Sequence, residues 1–83
     1  MTTDRTVFTR QTLKFVVQAD DDVFTEIDRW VNQIERIPST PGDYTEHDLD
    51  GRNLHVAVLH QVAIAYWTDH AVREVRVVSI DRL

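Results

Sequence analysis

No cysteine occurs in the 83 residues, which excludes disulfide bridges and thiolate metal sites and leaves the core, or self-association, to hold so short a chain together. Lysine is nearly as scarce. Lys14 is the sole one, and nine basic against fourteen acidic side chains give a net charge of −5. Surfaces that grip nucleic acid cluster Lys and Arg against the phosphates, so nucleic acid is not an expected partner. The two glycines, Gly42 and Gly51, build no phosphate loop, and no Ser/His/Asp order is present. No apolar run approaches the roughly 18 residues of a membrane span, and MTTDRTVFTR holds no unbroken apolar segment, so a soluble, unprocessed, cytoplasmic chain is expected. No motif implies a cofactor.

What is present suits one domain over residues 1–83, with room for a helix packed on a sheet. Residues 1–6 are polar and aperiodic, as in a poorly ordered terminus. From Gln11 to Gln18 apolar residues alternate, with Leu13, Phe15 and Val17 on one side and Lys14, Val16 and Gln18 on the other. That pattern predicts a strand with one buried face, extended by Val7 and Phe8. Asp20, Asp21 and Asp22 then offer a cap oxygen and negative charge at the positive end of a helix dipole. Val23, Ile27, Trp30, Ile34 and Ile37 follow at helical spacing, so one long helix is predicted over 21–37, stopped by Pro38.

Tyr44 to Leu49 predicts a short polar edge strand, turned at Asp50-Gly51 into the segment from Leu54. With Leu49 opposite Leu54, Asp48 would meet His55 across the hairpin. Three strands follow, from Leu54, Val62 and Glu74, with turn residues between them. If one face must hold every large apolar residue, a three-residue turn at 59–61 puts Leu54, Val56, Val58, Val62, Ile64, Tyr66, Val75 and Val77 beneath the helix. The outer face then carries His55, Ala57, Ala63, Ala65, Trp67, Glu74, Arg76 and Val78, a shallow alanine floor able to accept another chain or a ligand. His47, His55, His60 and His70 lack helical ligand spacing and a cysteine partner, so no metal site is predicted.

A strand, a helix and a closing meander, with Leu49-Asp50-Gly51, Leu54 to Val58, Ala63 to Tyr66, Thr68-Asp69 and Glu74 to Ile80 before Asp81-Arg82, resemble the RelE/ParE toxin superfamily. The resemblance implies an α+β fold, an antiparallel sheet of about four to five strands with one long helix on one face and the family's helical hairpin reduced. It also implies a functional sheet face turned away from the helix, where RelE-like ribonucleases hold RNA with basic residues. Positions matching those residues fall on His55, Ala57 and Ala63, of which two are alanine. The further basic and aromatic groups that the family carries on a tail are expected to be missing beyond Leu83.

The expected role is therefore that of a toxin-like protein working by protein–protein contact. The partner would be an antitoxin-like protein or a second copy, bound through His55, Ala63, Ala65, Trp67, Glu74 and Arg76. The lesser expectation is an active toxin. That would be an mRNA endoribonuclease using His55, Arg76 and Arg82, or a ParE-like inhibitor of DNA gyrase.

Overall fold

In the computed structural model, which describes residues 3–83, the helix predicted after the aspartates runs as α2, Asp21–Arg36. Asp20 is its N-cap, with Oδ1 accepting from the Val23 N–H at 3.0 Å, and Asp21 and Asp22 occupy the first turn. Both features satisfy free N–H groups and oppose the helix dipole. Val23, Ile27, Trp30 and Ile34 are buried along one stripe, whereas Ile37, just past the last turn, is exposed.

The stretch predicted as the first strand is instead a helix, α1, Arg10–Gln18, capped by Thr9, whose hydroxyl accepts from the Thr12 N–H. Thr12, Phe15, Val16 and Ala19 recur at helical spacing. Thr12 is buried, and the other three pack against the core. Leu13 and Val17, assigned above to a buried face, are exposed. The first strand lies earlier, as β1, Arg5–Phe8, so Arg5 and Thr6 of the terminus expected to be poorly ordered are strand residues, and the Asp4 N–H before them bonds the Glu35 carbonyl. Met1 and Thr2 lie outside the described residues.

Four further strands, β2 (Tyr44–His47), β3 (Asn53–Val58), β4 (Val62–Asp69) and β5 (Glu74–Arg82), complete a five-stranded sheet in the order β1-β5-β4-β3-β2. The sheet is mixed rather than antiparallel, because β1 pairs with β5 in parallel. Two consecutive helices, α1 and α2, take the place of a strand and one long helix. The class remains α+β.

The β3–β4 hairpin differs from expectation in a way that moves residues between faces. Val58 pairs with Ala63, and the Leu59 N–H donates to the Val62 carbonyl at 2.8 Å, leaving a two-residue turn at His60-Gln61. A shift of one residue transfers a whole strand to the other face. Val62, Ile64, Tyr66, Val75 and Val77 face the helices as predicted, joined there by Ala57 and Ile80. Leu54 and Val56 instead form a second cluster with Ala65, against which Ala63, Trp67 and Val78 pack. A register shift at Ala65/Tyr66 separates Ala65↔Ser79 from Tyr66↔Val77, leaving Val78 as the additional residue of a bulge.

At the β2 edge, Glu46 rather than Leu49 faces Leu54, and Thr45 rather than Asp48 faces His55. Asp48 holds the turn instead, its Oδ1 accepting from the Asp50 and Arg52 N–H groups. Gly51 sits at φ 79° there, a left-handed conformation that glycine adopts without steric cost.

Candidate functional site

The outer face is built by the alternation of four strands. Leu54 and Val56 from β3, and Ala63, Ala65 and Trp67 from β4, point away from the helices; Arg76 and Val78 from β5 lie beside them, and Glu46 and Tyr44 flank Leu54 and Val56. Leu54, Val56 and Ala65 are buried by their neighbours alone, since neither helix crosses this side. Val58 and Tyr44 remain exposed at its margin.

Trp67 is the largest group on the face. The Arg52 guanidinium carbon lies 4.1 Å from its ring centroid and that of Arg76 5.7 Å away, both within cation–π range. Arg76 is not a free cation. It donates to Glu74 Oε1 at 2.8 Å and approaches Asp69 Oδ2 at 3.8 Å. Glu74 also takes the guanidinium of Arg5 from the neighbouring strand. Two arginines therefore neutralise a carboxylate that is itself buried, an arrangement that fixes β1 to β5.

Of the six residues assigned to the binding surface, Ala63, Ala65, Trp67, Glu74 and Arg76 share this face. His55 does not. Paired with Tyr66, it lies on the helix side, its ring stacked 5.6 Å from that of Tyr66, and Nδ1 accepts from the Gly42 N–H at 3.2 Å. Ala57 follows it to the buried side. The three residues considered for catalysis are consequently dispersed. His55 sits beneath the connector that joins α2 to β2 (residues 38–43), Arg76 on the outer face, and Arg82 at the far end, 3.9 Å from Asp20 Oδ2 and over the Phe15 ring. No substrate phosphate could meet all three at once.

Two groups titrate away from their ordinary values. Burial pushes the Tyr66 phenol up, with the nearby Asp43 charge acting in the same direction; its hydroxyl donates to the Thr40 carbonyl at 3.1 Å, and its ring meets Trp30 edge-on at 5.1 Å. The Gln61 N–H, donating to Glu26 Oε1 at 2.9 Å, draws the Glu26 carboxyl down against a smaller opposing effect of burial. Both groups fasten the helices and connector to the sheet. Among the described residues, no group of three or more His, Cys, Asp or Glu side chains could hold a metal ion. Nor is any helix among them long and apolar enough to cross a membrane.

Arg52 was missed by reasoning from the sequence. Its position just before β3 hid the fact that the turn returns it over Trp67. Leu54, Val56 and Val58 face outward because a two-residue turn, not the three-residue one that would bury them, joins β3 to β4.

Fold and site together define a small α+β protein whose mixed sheet is covered on one side and carries an apolar cluster on the other. No protein-family model matches the chain, and no curated protein or solved structure matches it either.

Proposed function

We propose that the protein is a RelE/ParE toxin-like protein of the cytoplasm that acts through protein–protein contact at its outer sheet face, without ribonuclease activity. The partner is an antitoxin-like protein or a second copy of the chain. The observation that carries this reading is the apolar cluster of Leu54, Val56 and Ala65 with Ala63, Trp67 and Val78 on the uncovered side. Contiguous apolar surface of this kind marks sites where another chain excludes water. The strand, helix, helix and meander order supports the family comparison, since it restores the two helices that the front half was expected to have reduced. The middle strands present Leu54, Val56, Val58, Ala63, Ala65 and Trp67 outward, a set with no proton donor or acceptor suited to cleaving RNA.

The test uses Val58→Lys and Trp67→Ala, with the chain alone and co-expressed with the product of any small reading frame beside its gene. Wild type should sediment as a dimer or co-purify with that product, and Val58→Lys should abolish the association. A monomeric wild type with no co-purifying product, or association unchanged in both variants, would remove the face from consideration.

A further inference from the structure

The β3–β4 pairing stops at His55↔Tyr66. Beyond it β3 continues beside β2 as far as Asn53, and β4 continues beside β5 as far as Asp69. The two hairpins part there and leave a cleft of about 390 Å³. Alternation from the bonded pair Leu59 and Val62 makes Asn53 and Thr68 the next positions whose backbone N–H and C=O groups are directed across β3–β4. With the strands separated, those groups are turned toward the cleft.

The lining is unlike the rest of this acidic chain. Nine residues form it, and none is Asp or Glu, although fourteen such residues are present. Arg5, Arg73, Arg76 and Arg82 are each ion-paired, whereas Arg52 meets only the Trp67 ring and has no carboxylate partner among the described residues. A cation–π contact consumes none of the five N–H donors of a guanidinium. His55 adds another donor: with Nδ1 accepting from Gly42, its neutral ring carries the hydrogen on Nε2. His70 and the Asn53 amide extend the same lining. Trp67 and Arg52 also border an adjoining hollow of about 350 Å³.

We propose that this cleft binds a nucleoside 5′-monophosphate, the base taking the place over the Trp67 ring that the Arg52 guanidinium holds and the phosphate drawing that guanidinium to itself beside the two imidazoles. A guanidinium matches phosphate geometry with paired N–H donors, and an indole is a stacking platform for any base. The site shares Trp67 with the protein–protein reading, but Arg52 and His70 lie outside the apolar cluster and can be altered without touching it.

The test titrates the full chain with AMP, adenosine and inorganic phosphate by calorimetry, following the Trp67 indole N–H by NMR. AMP should saturate the site and shift that resonance, with adenosine and phosphate each binding at least about tenfold more weakly, since each retains only one half of the recognition. Arg52→Ala and His70→Ala should each weaken AMP binding, the former by about tenfold or more, as loss of a charge-assisted contact requires. Arg36→Ala, an exposed cation on α2, should leave it unchanged, and circular dichroism should show every variant folded. The proposal is overturned by an absence of AMP binding, by equal affinity for phosphate alone, or by Arg52→Ala binding as tightly as wild type.

Discussion

Replacing Tyr66 by Phe removes one oxygen from the most confined aromatic side chain of the core, and two effects follow. At neutral pH the variant loses the hydroxyl's bond to the Thr40 carbonyl. Thr40 is exposed, so water can take over that acceptor, and the cost should be about 1 kcal/mol. At alkaline pH the order changes. Burial raises the folded phenol above its ordinary value of 10.0, so the unfolded chain gives up the proton first. The stability tied to the neutral phenol is complete below that ordinary value and is lost as pH rises through the higher folded value. Urea unfolding at pH 7 and again near pH 11 should therefore show the variant less stable in the first case and the gap narrowing or reversing in the second. A constant gap at both pH values would mean that the phenol is not held neutral by the fold.

The 38–43 connector shows how an element without regular structure can govern a site. A Cβ on Gly42 would lie 2.7 Å from the Val56 nitrogen and 2.8 Å from its oxygen, both backbone atoms that cannot rotate aside. Gly42→Ala must push the connector off β3, straining the Asp43 N–H bond to the Val56 carbonyl and the Gly42 N–H bond to His55. A cost of about 2 kcal/mol is expected, read as a lower urea midpoint with unchanged slope. The connector's role was not legible in the sequence, where Ser39-Thr40-Pro41-Gly42 reads only as a turn. Helix α2 was legible, because the Asp20 cap and the apolar stripe from Val23 to Ile34 are local signals of the same period. Helix α1 was not: Leu13, Phe15 and Val17 alternate by coincidence, while Thr12, Phe15, Val16 and Ala19 set the buried stripe with a threonine and an alanine that carry little hydropathy signal. The His60-Gln61 turn was misjudged for a different reason. Counting burial on one face favours the longer loop, but this sheet places apolar residues on both. The parallel pairing of β1 with β5 depends on how both helices cross the sheet, which no local pattern encodes. Within the site, Trp67, Ala63, Ala65 and Arg76 could be placed by strand alternation alone; His55 and Arg52 required the register and the return of the Asp50-Gly51 turn.

At the scale of the whole molecule, the division of apolar residues between two faces sets a balance between folding and association. The helix side holds the larger cluster, with Val23, Ile27, Val62, Ile64, Tyr66, Val75 and Val77 almost fully enclosed. The outer cluster is covered only at its centre, so Val58, exposed at 42%, and Tyr44, at 52%, sit at its margin in water. Burying such side chains against a second chain contributes about 25 cal/mol per Å² of apolar surface removed from water, set against the lost freedom of two molecules. If the occupant is a second copy, stability depends on concentration, because the dimer binds only folded chains. The melting temperature should then rise by several degrees as protein concentration increases from micromolar to millimolar. Val58→Lys, which places an ammonium at the margin of the face without entering the helix-side core, should flatten that dependence while leaving the dilute-limit melting temperature close to wild type. A flat profile for wild type excludes the second copy as occupant and leaves the heterologous partner, whose addition should produce the same rise at fixed concentration of this chain. A concentration dependence that persists undiminished in Val58→Lys would place the self-contact elsewhere, and the exposed β2 edge from Tyr44 to His47 would be the next surface to alter.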